Sequence, residues 1–139
     1  MQDYERRFDP RMPPGQDIVK EYMPNLFQRC QEYEGKILVA DVDGAIAGYV
    51  LILCKVVSED LDDGNLEFGL VGDLVVLEAF RKKGYGKQLL SAAENEAKAC
   101  GVKWLRIGVL SSNHIAYDFY LSEGFVPHSA VLEKTLNPR

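Results

Sequence analysis

The chain has 139 residues, 47% of them hydrophobic and 27% charged, and a formal net charge of −5. That length suits one domain with one core, and the composition is that of an ordinary globular protein rather than a disordered or fibrous one. The negative charge argues against a sequence-independent nucleic-acid binder, and the longest apolar run, "AIAGYVLILC" (45–54), is too short to cross a bilayer.

In chain order, residues 1–17 are charged and proline-containing and read as an irregular lead-in, with Tyr4–Phe8 a candidate short edge strand. Segment 16–23 is at best a weak first helix. "PNLFQRCQEYEG" opens on Pro24, which a first helical turn tolerates, and closes on Gly35. Leu26, Phe27, Cys30 and Tyr33 fall at helical spacing, so a helix is expected there. "KILVADVDGAIAGYVLILCKVV" holds two β-branched, apolar runs around Asp43-Gly44 and predicts a β-hairpin. Residues 58–67, "SEDLDDGNLE", carry five carboxylates and no base, and 58–66 reads as a loop. "LEFGLVGDLVVL" (66–77) is a strand with Gly69 and Gly72 inside it, where glycine marks a bulge or a close backbone approach.

Further on, Leu89, Leu90, Ala93, Ala97 and Cys100 make an apolar helical stripe that Gly101 ends. "KWLRIGVL" (103–110) reads as a buried strand. "SSNHIAYDFYLSEG" is a short helix capped at Ser112 or Asn113 and stopped by Gly124, and "VLEKTL" (131–136) is a final strand. The second half alternates strand, helix, strand, helix, strand, so parallel pairing is expected beside the antiparallel hairpin. The class is mixed α/β, with residues 1–139 one domain.

Cys30, Cys54 and Cys100 are odd in number, far apart and form no CxxC pair. They predict reduced, buried thiols and neither a disulfide framework nor a zinc site. With a polar amino terminus lacking a signal-peptide pattern, this reads as cytoplasmic. His114 and His128 have no partner at metal-ligand spacing and read as surface or packing residues; Trp104, Tyr117 and Phe119 read as core.

The stretch "RKKGYGKQLL" (81–90) joins the strand 66–77 to the alanine-rich helix. Gly84 and Gly86 let successive N–H groups point into one concavity. The start of a helix adds its positive end, and Arg81, Lys82, Lys83 and Lys87 add charge, a combination suited to phosphate or pyrophosphate. A plain strand-to-helix turn with a solvated basic rim explains the same residues. Two other phosphate turns do not fit: a GxGxxG fingerprint meets Leu89 at its third glycine, and a Walker loop meets Gln88 after Gly86-Lys87.

"DLVVLEAFRKKGYGKQLL" resembles the central motif of the GNAT acyltransferase superfamily, a hydrophobic strand, then Arg/Gln-x-x-Gly-x-Gly/Ala, then a helix, with Arg81, Gly84 and Gly86 in register. "NHIAYDFYLSEGF" resembles its second motif through Asn113, Ala116, Phe119, Tyr120, Gly124 and Phe125. The two cover about residues 66–136. The resemblance implies a centrally splayed, mixed sheet of about six to seven strands flanked by helices, and acetyl-coenzyme A as co-substrate without a metal. It departs from the family at the start, where the usual strand and two helices are replaced by a short, irregular region, so the acceptor is the least determined feature.

The resemblance also implies roles. Pyrophosphate would rest on the amides of Lys82, Lys83, Gly84, Tyr85, Gly86 and Lys87, aided by Arg81. The pantetheine arm would lie against Leu74, Val75 and Val76, and Asn113 would contact the cofactor unless it is only a helix cap. Tyr120 is the candidate general acid for the leaving thiolate, or else an aromatic core residue with a satisfied hydroxyl. Asp73 or Glu67 is the candidate general base, each equally readable as a surface carboxylate or substrate anchor. An N–H near Val75 or Val76 would stabilise the oxyanion. The implied function is N-acetyl transfer to an amine of a small molecule or protein, the acidic stretch 58–67 favouring a cationic acceptor. A non-catalytic acyl-coenzyme A-binding regulatory module and an enzyme using a longer acyl donor are the alternatives. No membrane or nucleic-acid partner is implied, and a homodimer is not readable.

Overall fold

The computed structural model describes residues 28–59, 62 and 64–136. The lead-in 1–17, the candidate strand Tyr4–Phe8 and the segment 16–23 lie outside the described residues. Residues 28–32 are helical (α1), and the Gly35 N–H closes the helix on the Cys30 carbonyl at 2.7 Å. β1 (Lys36–Val42) and β2 (Ala45–Val57) form the expected antiparallel hairpin. Asp43 and Gly44 both take positive φ, 51° and 87°, a turn whose twist matches the flanking strands. Asp41 Oδ1 accepts the Gly44 N–H at 2.8 Å.

β3 (Glu67–Val76) pairs antiparallel with β2, and β4 (Leu105–Ile107) pairs parallel with β3, giving one mixed sheet in the order β1-β2-β3-β4. α2 (Tyr85–Ala99) supplies the crossover that a parallel pair requires. α3 (His114–Ser122) follows β4. β2 is buried on both faces, which is why it reads as an unbroken apolar run. One face, through Val50, Ile52 and Val71, packs against Leu89, Leu90, Ala93 and Ala97 of α2 and Tyr120 of α3. Leu51 and Leu53 on the other face meet Cys30, Tyr33 and Ile37. The helical stripe read from the sequence is thus the inner face of α2.

The β2–β3 register slips where Leu51 faces Asp73 but Ile52 faces Val71, leaving Gly72 as an extra residue in β3. A Cβ on Gly72 would lie 2.9 Å from Leu51 Cδ2, so a side chain at the bulge would require the buried Leu51 side chain to shift. Parallel pairing with β4 runs through Gly69–Leu105, Leu70–Arg106 and Val71–Ile107 and stops at the residue before that bulge. A bulge bends and twists its strand; β3 continues to Val76 without β4 beside it.

Several expectations are corrected. Four strands are present among the described residues rather than six to seven. The strand expected over 103–110 pairs only over Leu105–Ile107, because β3 turns away at Gly72. Residues 131–136 pair with no strand among the described residues. Trp104 is 59% exposed rather than core, since it lies at the outer edge of the sheet. Cys54 and Cys100 form a disulfide, β2 and the end of α2 meeting with 6.0 Å between Cα atoms. That bond removes the support that three reduced thiols lent to a cytoplasmic location.

Candidate functional site

β3 leaves the sheet at Val76 and the chain turns through a short 3₁₀ segment, Glu78–Phe80, before α2 begins. The turn is pinned at both ends. The Leu77 N–H donates to the Ala47 carbonyl at 2.8 Å, and Arg81 Nε donates to the Val76 carbonyl at 3.0 Å. Lys82 and Gly84 take left-handed φ values of 63° and 87°. Gly84 is the residue preceding α2, and its conformation is one that a side chain disfavours.

Among the described residues, no intramolecular acceptor is found for the N–H groups of Lys82, Lys83, Gly84, Tyr85, Gly86 and Lys87; the first helical N–H bonded back to the turn is that of Gln88, to Gly84 at 3.1 Å. Alternating left-handed residues followed by a helix start make such N–H groups converge on an anion. Arg81, Lys82, Lys83 and Lys87 are all exposed on this rim. Lys83 lies over the Phe80 ring at 5.9 Å, Phe80 meets Tyr85 edge-on at 6.2 Å, and Lys87 approaches Glu123 of α3's end at 4.0 Å.

Strand parity decides which main-chain groups reach the open side of β3. Val75 faces Tyr49 and the Leu77 N–H points to β2, so Val75 and Leu77 direct their main chain into the sheet. Leu74 and Val76, one residue out of phase, direct theirs to the edge that β4 does not cover. At that edge Leu74 presents its N–H and carbonyl and Val76 its N–H, the Val76 carbonyl being held by Arg81 Nε, while the main chain of Val75 points into the sheet.

α3 brings the second motif to the same place. A Cβ on Gly86 would lie 3.8 Å from both Phe119 Cζ and Val76 Cγ2, so the turn, β3's end and α3 are neighbours. Tyr120 is buried in the core cluster with Val71 and Leu90, its ring 5.5 Å from Phe119 and 5.9 Å from Phe125. Asn113 is 3% exposed and its Oδ1 accepts the Ala116 N–H at 3.3 Å, so it caps α3.

The two candidate bases are separated. Asp73 sits just past the bulge, partly buried, on the face opposite α2, whereas Glu67 is exposed at the far end of β3, ~20 Å away along the strand. Sequence reasoning passed over Tyr49. The register places it opposite Val75 and diagonal to Asp73, half-buried, and burial, with the Asp73 carboxylate adding to it, pushes its phenol above the ordinary value. The signal that would have found it is the hairpin register, carried across to β3. Arg29 of α1 approaches the same face, 3.6 Å from where a Gly72 Cβ would stand. Among the described residues no group of His, Cys, Asp and Glu is arranged to hold a metal, and no helix is long and apolar enough to cross a membrane.

Residues 2–125 match the model of the acetyltransferase (GNAT) family. The chain belongs to that family. Within it, this GNAT chain is 33% identical over 89 residues to an uncharacterised N-acetyltransferase of Lactobacillus delbrueckii subsp. lactis, covering 63% of the chain and 50% of that relative. It thus spans about half the length of such relatives. Its fold is shared with a putative acetyl transferase from Pyrococcus furiosus, at a TM-score of 0.72 and 24% identity, covering 97% of this chain and 91% of that one. The fold is shared too with AAC(6')-Iy in complex with the bisubstrate analogue CoA-S-monomethyl-acetylneamine, at 0.68 and 17% identity, covering 96% and 87%.

Proposed function

We propose that this GNAT chain is a single domain that transfers the acetyl group of acetyl-coenzyme A to a primary amine of a small molecule or protein within a ternary complex. The observation that carries the reading is the run of six N–H groups, Lys82 to Lys87, without an acceptor among the described residues, beside an uncovered strand edge. A diphosphate suits that run because these donors have no acceptor within the chain's described residues, and the helix start adds its dipole. Arg81, tied to Val76, holds the turn in shape while its charge and those of Lys82, Lys83 and Lys87 favour an anion. The amides of a pantetheine arm are met by the main chain of Leu74, as in strand addition to an open edge, with Val75 contributing its side chain and Val76 its N–H at the acyl end. Asn113, by capping α3, fixes the turn on the opposite side. The solved likeness that carries a coenzyme A-linked analogue supports this half of the reading.

When bound, acetyl-coenzyme A supplies the thioester carbon that an amine attacks. The chain's own residues do the rest. The Val76 N–H, at the open edge, holds charge developing on the acyl oxygen, an effect commonly worth ~3 kcal/mol. Tyr120 holds a proton for the departing sulfur, since a phenol is protonated at neutral pH and can pass its proton to a thiolate. Asp73 accepts the proton that the incoming ammonium must lose, directly or through water. Glu67 is too distant for that task and belongs with the acidic stretch 58–67, which favours a cationic acceptor.

Titration calorimetry with coenzyme A and acetyl-coenzyme A tests the binding half, and thiol release against an amine panel tests the transfer half. Tyr120→Phe keeps the buried ring and should lower kcat by ~10²-fold while leaving coenzyme affinity within about twofold. Absence of binding heat would remove the whole reading. Heat without thiol release would put the non-catalytic acyl-coenzyme A-binding module in its place, and an unchanged kcat would strip Tyr120 of its role.

A further inference from the structure

We infer that the acceptor is an apolar α-amino acid, its ammonium met by Asp73, its carboxylate by Arg29 and its side chain by the row Val39–Tyr49–Val75. This rests on the acetyl-transfer reading and narrows its acceptor from amines at large to one with a carboxylate beside the amine.

The face of the sheet opposite α2 is laid out in cross-strand rows. Ile37, Leu51 and Asp73 are partners across β1, β2 and β3, and Val39, Tyr49 and Val75 form the next row. α1 covers the first row, where Cys30 and Tyr33 pack with Ile37 and Leu51. The second row is left more open. Val39 is 55% exposed, and Leu77, in phase with Val75 just past the end of β3, is 49% exposed. An apolar strip therefore runs beside α1 toward the place where β3 leaves the sheet.

Two opposite charges stand where the covered row meets the open one. Asp73 ends a row that is otherwise apolar. Arg29 reaches from α1 to the bulge beside it, with Nη2 3.6 Å from where a Gly72 Cβ would stand. Arg29 is partly buried, yet the ion pairs among the described residues join Lys36 to Glu96, Lys55 to Glu34 and Lys87 to Glu123 and none involves it. A guanidinium drawn out of water without an anion is an incomplete arrangement, and its planar fork of donors suits a carboxylate. The Tyr49 hydroxyl, diagonal to Asp73, is kept protonated by burial first and the carboxylate second, and is a further donor on the same side.

Arg29 and Asp73 serve neighbouring positions of β3, so the anion and cation that they select lie close together, as they do in an α-amino acid. A polyamine would set a second cation against Arg29. A lysine side chain or a protein's amino terminus offers no carboxylate there. The acidic stretch 58–67 is at the other end of β3, too far along the strand to make this choice. In the transfer, the amine gives a proton to Asp73 and its nitrogen bonds to the acyl carbon. The carbon–sulfur bond breaks, and the sulfur takes the Tyr120 proton. The product is an N-acetyl amino acid, which no longer has an ammonium to hold at Asp73 and so leaves.

The full chain, with and without coenzyme A, should be titrated calorimetrically with L-phenylalanine and L-leucine and with phenethylamine and isopentylamine, which lack only the carboxylate. Thiol release from acetyl-coenzyme A should be followed with the same compounds. Each amino acid is expected to exceed its amine by ~100-fold or more in kcat/KM. Arg29→Gln should raise KM for the amino acids ~10- to 100-fold, with kcat within about threefold, and erase most of that preference. Arg29→Lys, which keeps the charge but not the fork, should recover part of it. An unchanged urea midpoint separates these effects from loss of fold. Amines used as well as amino acids would overturn the inference and leave acetyl transfer standing, as would a preference that Arg29→Gln does not alter. Amino-acid heat that depends on Arg29, without thiol release, would keep the subsite and remove the transfer. Neither heat nor thiol release with the amino acids overturns the inference, whatever binds at the turn.

Discussion

Tyr49 and Asp73 occupy diagonal positions on one face of the β2–β3 pair, next to the strand end where the sheet opens. Burial first, and the carboxylate second, raise the Tyr49 phenol above its ordinary value near ~10. The sign of the consequence follows from proton counting. Below ~10 the phenol is neutral in both folded and unfolded chains and has no effect on their balance. Above it the unfolded chain loses the proton first, so the folded chain binds more protons and stability falls as pH rises through the folded value. Tyr49→Phe should change the urea midpoint little at pH ~7 and flatten the decline above pH ~10. Parallel declines in the two proteins would show that the phenol titrates normally.

The turn into α2 separates backbone demand from ligand demand, because its two glycines have different reasons to be there. Gly84, at φ 87°, needs its freedom for the chain path, and a Cβ there would touch nothing within 4 Å. Gly86 has no left-handed requirement, and a Cβ there would make ordinary contact with Phe119 and Val76 at 3.8 Å. Gly84→Ala should therefore cost about 1 kcal/mol of stability. Gly86→Ala should cost none and even gain a few tenths from helix propensity, at ~0.5 kcal/mol or less. Both should weaken coenzyme A binding, since each puts a methyl group on the run of N–H donors. Urea midpoints and calorimetry read the two effects independently; wild-type affinity in Gly86→Ala would move the anion off that run. Much of this element was legible in the sequence, because the glycine spacing and the α2 stripe are local patterns. So was the hairpin, fixed by Asp43-Gly44. The length of β4 was not, because a bulge at Gly72 sets where β3 departs, and no local pattern states that angle. Tyr49 stayed hidden for a related reason. Its place opposite Val75 depends on register, and the pairing slips once between β1 and β2 and twice between β2 and β3.

At the scale of the molecule, the Cys54–Cys100 bond joins the buried centre of β2 to the end of α2 across 46 positions of sequence. No spacing rule foretold it, since neither cysteine has a near partner and the contact exists only once α2 lies on the sheet. The bond encloses β3, the turn and α2 in one loop. Closing a loop of that size in the unfolded chain removes entropy worth roughly 4 kcal/mol, and measured disulfides commonly give 2–4 kcal/mol. α2 is 15 residues long, so the bond lies ~20 Å from the Lys82–Lys87 donors. Reduction should therefore lower stability without changing coenzyme affinity. In denaturant without reductant, thiol titration should find only Cys30, and after reduction all three cysteines. The urea midpoint should fall by ~1–2 M on reduction, and Cys54→Ser with Cys100→Ser should reproduce that fall in oxidising buffer. Calorimetry on the reduced protein, below its new midpoint, should return the oxidised affinity. Three titratable thiols from the outset would show that the bond does not form in solution. A reduced protein of full stability but weaker affinity would show the loop acting on the turn rather than on the unfolded chain.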